Sequence, residues 1–303
     1  MNPLERMHLS LTGLSVGDAL GETFFAAGSK LFNRIERREV PRGVWRYTDD
    51  TEIALSIVET LWRYGRIDPD ELAQGFAQRF TSWRGYGAGA YRLLTSLQSG
   101  ANWRTEVSQM FGGTGSYGNG AAMRVAPLGA YFADDLEAVR ENAILSAQPT
   151  HTHPEGIAGA VAVAVAAALA FRVGEGESMQ PVEFLQQVVE NVPESETRSG
   201  IQQAVEIPST VPAMKVARQL GAGYKISAQD TVPFVLWCAA HHLEDYEETF
   251  WATVSGLGDM DTTCAIACGI VALSARQQGI PAAWLEAREP FPDDFLSEFN
   301  ELR

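Results

Sequence analysis

Apolar residues return along this chain at intervals of three and four. Leu55, Val58, Leu61 and Trp62 keep that rhythm, and so do the stretches 136–140, 182–189 and 246–254. A period near 3.6 places such residues on one face of a helix, whereas a strand alternates at every second residue. Strand-like alternation is scarce. AVAVAV at 160–165 alternates, but it lies within the uncharged run Ile157–Phe171. That run is too long for an ordinary strand, alanine favours helix, and small side chains let helices approach closely. The pattern predicts an all-α chain with a buried Ala/Val helix at its middle. Gly, Pro and Asn mark loops at 27–43, 85–89, 112–120, 174–176, 193–200 and 256–258. None has the length and polarity of an interdomain linker, and no internal repeat is visible. Residues 1–303 are therefore read as one domain.

Composition narrows the possible partners. The chain has 303 residues, 46% of them hydrophobic, and a formal net charge of −15. That is enough apolar material for a large core. The negative charge argues against bulk affinity for nucleic acid or an anionic membrane, so an anionic ligand would need a cation or backbone amides. Cys238, Cys264 and Cys268 form no C-x-x-C pair, and three free thiols suit a reducing cytoplasm. The start, MNPLERMHLSLTG, lacks a signal-peptide pattern. The run Ile157–Phe171 is shorter than the roughly 20 residues of a membrane span. A cytoplasmic monomer without a membrane segment is the expectation.

Two acidic loops stand at predicted helix starts. The first is Tyr47-Thr48-Asp49-Asp50-Thr51-Glu52, ahead of IALSIVETLW. Thr48 or Asp49 suits an N-cap, and Glu52, three after Asp49, completes a capping-box pattern. The second is Gly258-Asp259-Met260-Asp261-Thr262-Thr263, ahead of the nearly uncharged CAIACGIVAL. Capping explains either loop by itself, since acidic residues favour a helix N-terminus. One cap needs one carboxylate, however, and here four are spread over two loops, each beside a threonine. Buried carboxylates require a cation or many donors. Carboxylate and hydroxyl oxygens are hard ligands that suit Mg²⁺ or Mn²⁺, and two such cations about 3.5–4 Å apart can share a carboxylate. Upstream, GDALGE at 17–22 ends the first predicted helix. There Asp18 is expected to bond a loop backbone, and Glu22 is a candidate acid or base.

The Gly-rich stretch 112–120, with Ser116, Tyr117, Gly118, Asn119 and Gly120, runs toward Arg124. Such a stretch either makes tight turns or presents N–H groups to an anion. It lacks the G-K-[ST] of a P-loop. Tyr117 offers a ring to a base or ribose, and Arg124 suits either a phosphate or an internal salt bridge. Arg84-Gly85-Tyr86-Gly87-Ala88-Gly89 is a second glycine loop. His151 and His153 have no third soft ligand nearby, so ligand contact fits them better than zinc.

In this order, GDALG (17–21), YTDDT (47–51), RGYGAG (84–89), SYGNGAAMR (116–124), SAQPTHTHPE (146–155) and GDMDTT (258–263) resemble the ADP-ribosylglycohydrolase family. RGYGAG and SYGNGAAMR look most like its serine-type branch. The resemblance implies an orthogonal helical bundle with two divalent cations, Mg²⁺ or Mn²⁺, held by Thr48, Asp49, Asp50, Asp259, Asp261 and Thr262. It also implies an ADP-ribose cleft lined by Ser116, Tyr117, Gly118, Asn119, Gly120 and His151. Two departures stand out. The second acidic loop reads Leu257-Gly258-Asp259-Met260-Asp261-Thr262 where the usual pattern is GGDTDT, which keeps both Asp and the Thr but loses one Gly and one hydroxyl. Phe25 stands where serine-type relatives carry a catalytic glutamate, which leaves Glu22, with Asp49 and Asp261, for proton transfer. The activity implied is hydrolysis of the bond joining ADP-ribose to a protein side chain or small acyl group. The alternatives are a non-catalytic ADP-ribose-binding module and a Mg²⁺-dependent nucleotide phosphohydrolase.

Overall fold

The computed structural model describes residues 1–293 and 295; among them are helices, turns and two isolated bridges, Trp45 with Arg288 and Gly118 with Ser227, but no strand. The helices are α1 (Pro3–Glu22), α2 (Leu31–Glu36), α3 (Asp49–Tyr64), α4 (Pro69–Arg79), α5 (Ala88–Gln98), α6 (Trp103–Gln109), α7 (Ala126–Tyr131) and α8 (Leu136–Ala147). They continue with α9 (Pro154–Gly174), α10 (Pro181–Asn191), α11 (Glu196–Val205), α12 (Ala213–Leu220), α13 (Ala228–His241), α14 (Tyr246–Val254), α15 (Met260–Gly279) and α16 (Ala282–Ala287). The all-α expectation holds, and the helical periods at 136–140, 182–189 and 246–254 fall on α8, α10 and α14.

Local chemistry sets the helix ends. Asn2 and Glu5 form a reciprocal capping box ahead of α1, with Pro3 in its first turn. His153 accepts the Glu155 N–H at 3.1 Å ahead of α9, and α3 stops at Gly65, whose φ is +67°. Three expectations need correction. The predicted loop 27–43 contains α2, because Leu31 and Ile35, four apart, pack against the core. The predicted loop 193–200 contains the start of α11, which Ser195 caps by accepting the Arg198 N–H. Glu52 does not close a capping box. Thr48 is the N-cap of α3, and the Glu52 carboxylate accepts from the Thr81 N–H and the Tyr86 hydroxyl instead.

Helices α1, α9 and α15 carry the centre. Helix α9 packs on α7, α8, α13 and α15. It is 21 residues long, and its most apolar 18 residues have a mean hydropathy of 2.1, enough by length and composition to cross a membrane, but 83% of that window is buried inside the protein. Helix α1 lies antiparallel along α15: Gly13 abuts Cys268 and Ala272, Gly17 abuts Cys264, and Gly21 abuts Met260. A Cβ at Gly17 would sit 2.4 Å from the Cys264 carbonyl oxygen, and one at Gly21 2.5 Å from that of Met260. Only glycine permits this approach. It carries Asp18 and Glu22, at the end of α1, to the start of α15.

Candidate active site

The N-termini of α3 and α15 meet the C-terminus of α1. Asp18 is the hub of the first acidic loop. It is wholly buried and accepts the Thr48 N–H (3.0 and 3.1 Å), the Thr48 hydroxyl (2.9 Å), the Thr51 N–H (3.1 Å) and the Thr51 hydroxyl (2.5 Å). The backbone contact expected of Asp18 is present, and it fixes the turn that aims Asp49 and Asp50. The Thr262 hydroxyl donates to Asp50 Oδ2 at 3.2 Å, joining α15 to α3.

One carboxylate oxygen from each of Asp18, Asp50 and Asp261 lies within 4.8 Å of the others. Burial, and then the neighbouring carboxylates, raise Asp50 and Asp261 well above the usual carboxylate range. Burial pushes Asp18 up to about 6 against its own hydrogen bonds, and burial with the Asp18 charge pushes Asp49 up to about 8. Capping does not account for this cluster. Thr48 already caps α3, and the Asp259 side chain makes no capping bond to α15. Asp50 Oδ1 and Asp261 Oδ1 are buried without a hydrogen-bond partner among the described residues. Unpaired buried carboxylate oxygens are costly. A hard divalent cation would satisfy them, and the surrounding donors are carboxylate and hydroxyl oxygens, so the residues present fit such an ion.

A cleft of 320 Å³ opens onto the cluster; Asp49, Asp259, Asp261 and Thr262 form part of its wall, with Gly85, Gly87 and Gly89 opposite Gly118 and Gly120. Asn119 also lines it, but its side-chain amide donates to Asp259 Oδ2 at 2.8 Å and to Thr231 at 3.2 Å. Asn119 therefore steadies the second acidic loop. The Gly118 N–H donates to the Ser116 hydroxyl and the Asn119 N–H to the Ile226 carbonyl. These two amides, expected to meet an anion, are bonded inside the protein. Nor does the loop run into a long helix: two 3₁₀ turns, Met110–Gly113 and Asn119–Ala121, occupy it, and α7 begins only at Ala126.

Ser116 and Tyr117 lie outside the lining of this cleft. Ser116 is buried beneath the loop, whereas Tyr117 is exposed, with its ring 6.4 Å from that of Phe111 and 5.6 Å from that of His153. Arg124 is buried in a turn and makes no salt bridge among the described residues. It donates to the Ser146 carbonyl (2.9 Å) and the Thr150 hydroxyl (2.8 Å) and lies over the Phe76 ring. The Thr150 hydroxyl is 2.7 Å from His151 Nδ1. Burial, and then the Arg124 charge, lower His151 to about 3, so its imidazole is neutral near pH 7. Glu22 is raised by burial and by the Asp18 and Asp259 charges. Phe25 is exposed at the start of a 3₁₀ turn.

Sequence reading missed Phe111, Thr150 and Ile226 at this site. Phe111 carried one signal, an aromatic beside Gly112-Gly113, and its φ is +53°. Thr150 lay inside the stretch SAQPTHTHPE but was given no role, and Ile226 carried no signal.

The family profile described as ADP-ribosylglycohydrolase matches residues 1–302. The Homo sapiens protein named ADP-ribosylhydrolase ARH3 is 26% identical over 97% of this chain and 92% of its own length. An uncharacterized protein of Archaeoglobus fulgidus is 31% identical over 98% of this chain and 97% of its own. Among solved structures, a chain of an ADP-ribosylglycohydrolase-related protein complex superimposes with a TM-score of 0.60 at 23% identity, covering 95% of this chain and 93% of that one. That likeness shows a common fold.

Proposed function

This chain belongs to the ADP-ribosylglycohydrolase family, and on that premise we propose that it hydrolyses the glycosidic bond joining ADP-ribose to a protein side chain or small acyl group, with two divalent cations in its acidic centre. The observation that carries the proposal is the pair of unpartnered buried oxygens, Asp50 Oδ1 and Asp261 Oδ1, beside a cleft of nucleotide scale. Thr48, Asp49, Asp50, Asp259, Asp261 and Thr262 would hold the ions, Mg²⁺ or Mn²⁺. Such ions supply positive charge to ribose hydroxyls and to a nearby water.

The chain's own residues do the rest. Asp18 fixes the Thr48–Thr51 turn, and Asn119 fixes Asp259. ADP-ribose lies between the two glycine loops, where the cations that the acidic centre would hold offset its negative charge. His151 contacts it as a neutral imidazole. Phe111 and Tyr117, two exposed rings at the neighbouring rim, suit its base. Water adds to the anomeric carbon of the distal ribose as the bond to the leaving oxygen or nitrogen breaks. The leaving atom gains a proton and the water loses one, while the sugar passes through oxocarbenium character. Glu22, whose carboxyl is raised above its ordinary value by burial and by the Asp18 and Asp259 charges, is the candidate for the proton transfer, with Asp49 and Asp261 as the other carboxylates at the site.

The experiment is a product assay on serine-, arginine- and acetyl-linked ADP-ribose with Mg²⁺ or Mn²⁺. Free ADP-ribose should appear from at least one substrate and vanish with chelator. Phosphate release instead would identify a nucleotide phosphohydrolase. A second reading, a non-catalytic ADP-ribose-binding module, is favoured by Phe25 standing where a glutamate is expected. ADP-ribose binding without turnover of any substrate would establish it.

A further inference from the structure

The backbone leading into the first acidic loop has no regular structure to satisfy it. Residues 44–48 belong to no helix, and among the described residues their one bridge is Trp45 with Arg288. Buried N–H and C=O groups there need partners from elsewhere. The Trp45 N–H donates to the Ala287 carbonyl (2.7 Å), and the Glu289 N–H donates to the Trp45 carbonyl (2.8 Å). This short parallel contact brings the segment after α16 beside the loop.

Glu289 then meets Arg84 across Tyr47. The Glu289 carboxylate accepts the Tyr47 N–H at 2.9 Å. The Arg84 guanidinium donates to that carboxylate and, at 2.7 Å, to the Tyr47 carbonyl. It also lies 3.9 Å from the centre of the Tyr47 ring. Both backbone groups of Tyr47, the residue before Thr48, are thus held by side chains 242 and 37 residues away. The Arg84 carbonyl accepts the Asp49 N–H at 2.8 Å. Gly85 follows in the cleft wall, where a Cβ would lie 3.6 Å from Asp49 Oδ1. Glu52 fastens the same segment to α3 through the Thr81 N–H (2.9 Å) and the Tyr86 hydroxyl (2.7 Å).

Stability alone does not account for this arrangement. Arg84 and Glu289 are only 10% and 18% exposed, and the cost of desolvating such a pair offsets most of its attraction. Nor does joining the C-terminal segment to the fold require donors and acceptors on both sides of Tyr47. What the pair fixes is the path of the backbone into Thr48 and Asp49. Ligands must be held to about 0.5 Å for a cation to bind well, and the groups that orient them decide much of the affinity.

We propose that Arg84 and Glu289 are positioning residues that hold the Thr48–Asp49 backbone in register for divalent cations, which makes the segment after α16 part of the scaffold of the acidic centre. The inference rests on the cation reading above. Its test is Mn²⁺ titration of the metal-free full-length protein, read by electron paramagnetic resonance of free Mn²⁺. The variants are Glu289→Ala, Arg84→Gln and the double substitution, with Glu289→Gln in reserve because it keeps an acceptor for Tyr47. Glu59→Ala is the control, since it breaks a pair of similar burial, Arg79 with Glu59 at 13% and 16% exposed, further along α3. Each single clamp variant should bind Mn²⁺ about 10- to 100-fold more weakly. The double variant should lose no more than either single one, because the two side chains act as a unit. The control should stay within about twofold even where its Tm falls as far. Hydrogen exchange of the metal-free clamp variants should quicken at residues 45–51 and not at 55–64. Mn²⁺ affinity within twofold of wild type in the clamp variants overturns the proposal, with or without faster exchange. A loss that the control shares, or losses that add in the double variant, also overturn it. Absence of Mn²⁺ binding by the wild type would sink the cation reading and this inference together, whereas undiminished binding by the variants sinks this one alone.

Discussion

At the scale of single residues, Thr150 links a buried cation to the cleft. Its hydroxyl oxygen accepts from Arg124, and its one proton has two possible acceptors, His151 Nδ1 at 2.7 Å and the Ala147 carbonyl at 3.4 Å. The shorter contact wins. Thr150 therefore donates to Nδ1, and the neutral ring keeps its proton on Nε2. That atom faces the glycine loop, since a Cβ on Gly118 would lie 3.3 Å from it. Thr150→Val removes the link. ADP-ribose affinity should fall about two- to tenfold, the worth of one hydrogen bond, with kcat little changed. Titration calorimetry reads the affinity, and ¹⁵N shifts of His151 read the tautomer. Unchanged affinity and shifts would show that Thr150 does not set the ring. Glu22 is tested in the same way. Glu22→Gln should lower kcat at least ~100-fold if its proton is transferred, and Phe25→Glu in that background should restore part of the loss. Full activity of the single variant would assign the proton to another carboxylate.

At the scale of elements, the α1–α15 contact decides the site. Gly13, Gly17 and Gly21 recur every fourth residue on one face of α1 and let the two backbones touch. Gly17→Ala improves helix propensity by at most ~1 kcal/mol. Its Cβ, however, would meet a carbonyl oxygen at 2.4 Å, and overpacking of this kind costs about 1–3 kcal/mol. Urea denaturation should show a net loss of stability, and divalent-cation affinity should fall as Asp18 and Asp261 separate. Gly75→Ala on α4 is the control. Its Cβ would meet only Ser56, at 3.6 Å or more, so stability should hold or rise. If both variants behaved alike, close approach would not be what Gly17 provides.

At the scale of the whole molecule, the acidic cluster links folding to protons and, on the proposed function, to cations. Asp18 and Asp49 have folded-state values of about 6 and about 8, above the 3.8 of an unfolded aspartate. The folded protein thus holds more protons than the unfolded chain between those values. Stability of the metal-free protein is fully present below about pH 4 as far as these groups go, and it is lost as pH rises through about 6 and then about 8. A bound cation reverses this by favouring the ionised carboxylates. Near pH 8, Mg²⁺ or Mn²⁺ should raise Tm and chelator should lower it, with a smaller effect near pH 5. Calorimetry in buffers of different ionisation enthalpy should register proton release on binding. A metal-independent Tm across this range would remove the cations from the acidic centre.

The sequence by itself determined the local features. Helical periodicity, the cap at Thr48, the buried Ala/Val helix, and the acidic character of the two loops depend on neighbours within a turn or two. Such interactions are written in residue order. Its reading of Asp18 as a loop anchor also held, because a short polar side chain at a helix end has few other uses. Tertiary structure decided the rest. It turned Glu52 away from a capping box toward Tyr86, gave Asn119 to Asp259, held Arg124 on Thr150, and closed α1 onto α15. The partners in these contacts lie from 26 to 259 residues apart, and no local period encodes such a distance. The orphaned oxygens of Asp50 and Asp261 exist only because two distant helix starts meet in a buried place, where water cannot satisfy them.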